Sequence, residues 1–191
     1  MIETVRSFIA VEIPDAVRQK LREFLRELRD TGADVKWVRP EGMHLTLKFL
    51  GAVERDLLEK VSLSLGPVVE KFDPFVLKAE GAGCFPSLRN PRVVWAGLTD
   101  PEGAVVKLQR EIETTTAGLG FPSEERSFKP HLTLGRVRSP KGKNSLTQTV
   151  ERQINLGFGS FRVERVILFR SDLRPEGAVY TRLKEFYLKQ S

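Results

Sequence analysis

The chain has 191 residues, one cysteine and two histidines, with 31 Lys and Arg against 25 Asp and Glu for a net charge of +6. That length supports a sizeable core, and a lone cysteine beside two histidines excludes an internal disulfide and the usual Cys/His zinc frameworks, so no metal is expected. No apolar run approaches the ~18 residues of a membrane span, and Met1 to Ser7 lacks the features of a signal peptide, so a cytoplasmic chain is expected.

The charge is uneven: from Arg126 onward there are 14 Lys and Arg against 5 Asp and Glu, whereas the first 125 residues hold 17 against 20. Such asymmetry fits an anionic partner, and its densest part runs from Arg136 to Lys143. A solvated basic loop would give the same composition.

Taken in chain order, VRSFIAVEI at 5–13 reads as a strand stopped by Pro14. Val17, Leu21, Phe24, Leu25 and Leu28 then recur at helical spacing up to Gly32, an amphipathic helix packed on a sheet. Residues 35–38 form a short strand, Pro40 and Gly42 a turn, and 44–50 a second strand closed by Gly51. A helix is expected over 54–71, then strands over 75–82 and 92–98 separated by a loop at 85–91, with Trp37 and Trp95 in the core and Cys84 as a small buried hydrophobe. A helix over 102–118 leads through Pro122 to a strand at His131, followed by the basic loop and a short helix over 144–153. Strands over 159–169 and 179–188 close the chain. The elements predict an α+β fold of antiparallel sheets covered by helices.

Both histidines fall in the same tetrapeptide, HLTL, at 44–47 and 131–134. Side chains alternate along a strand, so His44 and Thr46 share one face while Leu45 and Leu47 share the other, and His131 and Thr133 are set apart from Leu132 and Leu134 in the same way. Each strand thus offers a core face and a face of imidazole and hydroxyl, and HLTL is also simply good strand sequence. If two such faces look at each other, a phosphodiester between them meets a base, an acid and two hydroxyl donors, which in-line displacement at phosphorus requires. Histidine suits both proton roles near neutral pH.

Two HxTx motifs resemble the signature of the 2H phosphoesterase superfamily. The similarity to its RNA 2′,3′-cyclic phosphodiesterase branch, also called the 2′-5′ RNA ligase family, extends over FIAVEIP (8–14), VKWVRPEGMHLTLKFLG (35–51), FPSLRNPRVVWAGL (85–98), FKPHLTLGRVR (128–138) and LFRSDLRPEGAVYTRLKEF (168–186). The resemblance implies a bilobal, pseudo-twofold fold over residues 1–191 as one domain, its two antiparallel sheets lining a central groove with one motif per lobe. It implies metal-independent hydrolysis of RNA 2′,3′-cyclic phosphate ends to 2′-phosphomonoesters, without cofactor, with His44 as proton donor, His131 as proton acceptor and Thr46 and Thr133 on the phosphate oxygens. The expected partner is RNA bearing such an end, tRNA fragments among them, and the expected state a monomer. Joining of RNA ends through a 2′-5′ linkage, or binding of RNA ends without catalysis, are the rival readings.

Further residues are candidates for substrate contact. Arg136 fits an arginine that the family often carries, but alternation from His131 puts it on the leucine face unless a bulge at Gly135 turns it back; a phosphate contact and a surface ion pair stay open. Lys48 shares the parity of His44 and so faces the groove or solvent. Phe8 and Tyr180 are candidates to stack on a base, with core packing the alternative for Phe8.

Overall fold

The computed structural model describes residues 3–175 and 177–190. Its elements are β1 (Thr4–Glu12), α1 (Asp15–Asp30), β2 (Val35–Trp37), β3 (His44–Glu54), α2 (Arg55–Val69), β4 (Phe75–Ser87), β5 (Asn90–Thr99), α3 (Ala104–Gly118), β6 (His131–Val137), α4 (Lys143–Arg152), β7 (Gly157–Val163), β8 (Arg165–Arg174) and β9 (Gly177–Tyr187). The strands form two antiparallel sheets, one ordered β3-β1-β8-β9 and the other β2-β6-β5-β4-β7. No helix of the described residues is long and apolar enough to cross a membrane.

The helical periodicity read from the sequence is realised in α1, whose Val17, Leu21, Phe24, Leu25 and Leu28 are all buried. Each such side chain contributes about 2 kcal/mol by leaving water, which seats the helix against β7 and α4. α2 and α3 pack on each other, and α3 also packs on β3. The main buried cluster holds Ile9 and Leu45 of the first sheet with Leu77, Val94 and Leu132 of the second, so one apolar interior joins both. A smaller cluster of Phe8, Ala10, Ile167 and Phe169, capped by Tyr180, is separate from it.

A shared local plan positions the motifs. In β1-α1-β3 and again in β5-α3-β6, a strand runs into a helix and the chain returns as an HLTL strand paired antiparallel to the first. The two sheets are not halves of the sequence, however. β2 leaves the N-terminal part to lie beside β6, and β8 and β9 return from the C-terminus to complete the sheet of β1 and β3.

Three expectations need correction. The segment 85–91 is no open loop: β4 continues to Ser87, which pairs with Asn90 at the start of β5 in a tight hairpin. The single strand expected over 159–169 is two strands, and they belong to different sheets, with β7 on β4 and β8 on β1. Phe161 and Val163 alternate into the core while Val166 to Phe169 are all buried, and no turn residue marks the change of sheet at Glu164 between them. Trp37 packs on the main cluster as expected, but Trp95 is half-buried outside it, because Val94, Ala96 and Leu98 take the core face of β5. Cys84 is buried, and burial pushes its thiol up to about 11, which leaves it inert near neutral pH.

Candidate active site

The pairing of β3 with β1 breaks register within the first motif. Ala10 faces Thr46 and Ile9 faces Lys48, so Leu47 has no partner and forms a bulge. In β6, Trp95 faces Thr133 and Val94 faces Gly135, leaving Leu134 as the extra residue. The fourth residue of each HLTL is therefore bulged, and a bulge of one residue reverses the alternation beyond it.

That reversal decides the fate of two candidates. Beyond Leu134, Gly135 turns inward and Arg136 becomes exposed on the side of His131 and Thr133. Beyond Leu47, Lys48 turns inward with it, so the expectation that Lys48 faces the groove is corrected. It is 6% exposed and its Nζ donates to the Glu113 carboxylate and the Pro122 carbonyl, both at 2.6 Å. Phe49 takes the position that Lys48 was expected to hold, 65% exposed with its ring 6.1 Å from that of Phe8.

Each imidazole is fixed in the same manner. His44 Nδ1 lies 2.8 Å from the carbonyl of Gly42, presented by the short 3-10 turn Pro40–Gly42, and His131 Nδ1 lies 2.7 Å from the carbonyl of Lys129. A carbonyl oxygen only accepts, so in both rings Nδ1 carries the proton and donates it, and Nε2 is the atom left to give or take a proton.

The rings rest on aromatic supports. His44 stacks on Phe8 with centroids 4.6 Å apart and meets Tyr180 edge-on at 5.1 Å, while Phe8 in turn stacks on Phe169 at 5.2 Å. Phe8, 3% exposed beneath the imidazole, has no face open to a nucleobase; it supports His44 instead. His131 meets Phe85 edge-on at 5.0 Å, and Phe85 lies 5.2 Å from Trp95. Neither Phe85 nor Trp95 was singled out for the site, and their contact with His131 depends on the pairing of β4, β5 and β6, which no local signal encodes.

Burial among these rings pulls the His44 imidazolium down to about 4, against the opposing pull of the Gly42 carbonyl. His131 is lowered by burial too, the Lys129 carbonyl opposing and the Arg136 guanidinium adding to the decrease. Burial raises the Tyr180 phenol, while Arg136 and Arg6 act to lower it. Arg136 of one sheet is thus felt by Tyr180 of the other, and β3 and β6 come into contact.

Two hollows open on the surface, of which the smaller is lined by a motif histidine. One of about 100 Å³ adjoins His44, with Tyr180, Glu12 and Arg182 in its wall; Glu12 pairs with His44 across the strands, and Arg182 Nε and Nη2 donate to its carboxylate at 3.0 and 2.8 Å. A larger one of about 490 Å³ is lined by Trp95, Gly97, Thr99 and Pro130, Gly97 being the cross-strand partner of His131. Among the described residues no three His, Cys, Asp or Glu side chains gather as metal ligands.

A family model for LigT-like phosphoesterases matches residues 11–95 and 98–180, so each matched stretch contains one HLTL. A protein of Methanothermobacter thermautotrophicus named RNA 2′,3′-cyclic phosphodiesterase is 37% identical over 184 residues, which is 96% of this chain and 99% of the relative. One of the same name from Archaeoglobus fulgidus is 37% identical over 95% of this chain and 99% of its own length. Among solved structures, E. coli LigT complexed with 3′-AMP superposes with a TM-score of 0.78 at 27% identity, covering 98% of this chain and 100% of that one. A Thermus thermophilus protein gives 0.80 at 32% identity over 96% and 98%.

Proposed function

Because the chain belongs to the LigT-like phosphoesterase family of enzymes, we propose that it hydrolyses the terminal 2′,3′-cyclic phosphate of RNA to a 2′-phosphomonoester, using His44 and His131 and no metal. The observation that carries this reading is the matched pair of imidazoles, each with Nδ1 tied to the carbonyl two residues back and Nε2 free, each followed two residues on by a threonine. The name shared by the relatives supplies the substrate, and the positive charge of the C-terminal third suits an RNA backbone.

Water attacks phosphorus while His131 Nε2 takes its proton; the bond from phosphorus to the 3′ oxygen breaks, and that oxygen leaves with the proton of His44 Nε2. The ester to the 2′ oxygen is kept. Thr46 and Thr133 donate to the non-bridging oxygens, and Arg136 offsets the charge that grows on them. The free protein holds both imidazoles largely neutral at pH 7, which suits the base but not the acid. An arriving phosphate anion favours the imidazolium and so restores the proton His44 must give.

The test is hydrolysis of a cyclic-phosphate oligoribonucleotide in EDTA with the position of the product phosphate mapped. His44→Ala and His131→Ala should each abolish turnover. Full rate in either variant, or strict dependence on added metal, overturns the reading.

The hollow of about 490 Å³, lined by Pro130 and by Gly97, the neighbour and the cross-strand partner of His131, would suit a second reaction on the same groups. A water nucleophile needs no such space, whereas a nucleoside does. A 5′-hydroxyl RNA end seated there would give its proton to His131 and bond to phosphorus while the 3′ oxygen leaves with the proton of His44, forming a 2′-5′ linkage; incubation with RNA halves bearing the two ends and mapping of the junction tests for it.

A further inference from the structure

We propose that Lys48 is a positioning residue that sets the separation of the two histidines by holding the bulge after the first motif to the segment that delivers the second. The inference rests on the paired-histidine reading above. Two side chains one helical turn apart on α3 receive the bulge: Gln109 Nε2 donates to the carbonyl of Leu47 at 3.4 Å, and the Glu113 carboxylate receives Lys48 Nζ at 2.6 Å. Gln109 also donates to Glu113 at 3.2 Å, so the two act as one receptor.

Lys48 reaches further than α3. Its Nζ also donates to the carbonyl of Pro122 at 2.6 Å, at the beginning of the irregular, largely exposed stretch that ends in Lys129, Pro130 and His131. The far end of that stretch is tied to β5 by the Leu98 amide, which donates to the Pro130 carbonyl at 3.1 Å, and Lys129 supplies the carbonyl that orients His131. One buried ammonium therefore touches both the strand of His44, two residues beyond Thr46, and the approach to His131.

The chemistry of this contact makes it specific. Ammonium and carboxylate are both shielded from water, 5% and 15% exposed along their side chains. A buried charge left without its partner forces the surrounding chain to rearrange. Motif groups serving one phosphate must keep their spacing closely, since a displacement of ~1 Å can lower a rate about a hundredfold.

The experiment uses the full chain and measures kcat and KM on a cyclic-phosphate oligoribonucleotide for Lys48→Met, Lys48→Arg and Leu21→Ala. Leu21 lies fully buried on α1, a different helix from the one that carries the clamp, so its truncation reports plain loss of stability. Lys48→Met should lower kcat about tenfold or more with KM little changed, and Lys48→Arg should recover much of it. With two histidines in the chain, the imidazole Cε1–H resonances are two, and Lys48→Met should move both without substrate. Leu21→Ala should lower the melting temperature but keep kcat below it. Unchanged kcat in Lys48→Met, or an equal loss in Leu21→Ala at matched melting temperature, overturns the proposal. If Lys48→Met fails to fold, Glu113→Gln keeps the side-chain shape and carries the same test, unchanged kcat again counting against it. Absence of hydrolysis in the unmodified chain would sink the functional reading, whereas unmoved imidazole resonances in the Lys48 variant would sink the clamp.

Discussion

His44 lies over Phe8 with ring centroids 4.6 Å apart and planes 28° from parallel, so the first motif's imidazole has an aromatic floor. The floor is itself buried and rests on Phe169. Phe8→Ala removes it. The expected loss of stability is about 3 to 4 kcal/mol, read by urea denaturation. Water entering the vacated space eases the burial that depresses His44, so its imidazole should titrate well above the present value of about 4. An imidazole that still titrates near 4 by NMR would show that Phe8 is not the cause.

The depressed histidine also links folding to pH. His44 binds its proton near 4 in the folded chain and near 6.5 in an ordinary environment. Between those values the unfolded chain holds more protons, so stability rises with pH. The contribution of His44 is fully present above 6.5 and is lost as pH falls toward 4, up to about 3 kcal/mol. His131 acts with the same sign. Urea midpoints at pH 7 and pH 4.5 check this, and His44→Gln should flatten the difference.

Catalysis should show the opposite effect of the phosphate. The profile of kcat/KM reports groups in the free enzyme and that of kcat those in the complex. Bound anion raises the His44 imidazolium, so the alkaline limb assigned to the acid should lie at higher pH in kcat than in kcat/KM. Coincident limbs would mean that substrate charge does not recruit the proton.

Much of this site was legible because period 2 is a local property. HLTL placed histidine and threonine on one face wherever the strand went, and the buried Leu45, Leu47, Leu132 and Leu134 took the other. The reading of Lys48 failed because parity was carried across Leu47, and a bulge depends on how β1 pairs with β3. The same device at Leu134 brought Arg136 to the histidine side. Trp95 was assigned to the core from its place in mid-strand, yet the residues flanking it are the buried ones, and only the neighbours of a strand decide which face is interior. The join of β7 and β8 was missed because no glycine or proline separates them, although the alternating burial of β7 gives way to the continuous buried run Val166 to Phe169 as the chain changes sheets.

Arg136 should matter in proportion to its charge. It stands on the His131 side, lowers the His131 imidazolium and acts to lower the Tyr180 phenol. Arg136→Met should reduce kcat/KM about tenfold to hundredfold, in the range of a lost donor to developing phosphate charge. The same change should raise the pKa of His131, because a nearby positive charge is removed. A variant with unaltered kcat/KM would assign Arg136 to the solvent instead of the phosphate.

Gly135 makes the bulge of the second motif possible. A Cβ there would stand 2.6 Å from Val35 Cγ1 and 2.7 Å from Trp37 Cε3, so any side chain pushes β2 away from β6. β2 pairs Lys36 with Arg136, so a displaced β2 removes the strand that steadies the arginine's backbone. Gly135→Ala should destabilise the chain by about 1 to 3 kcal/mol through overpacking and raise KM more than it lowers kcat. Gly157→Ala is the matched control, since a Cβ at Gly157 meets nothing within 4 Å. Thermal melts of the two variants check the packing, and steady-state kinetics below the melt check the arginine. If Gly135→Ala melted like Gly157→Ala, β2 would have room to yield and the bulge would not depend on glycine.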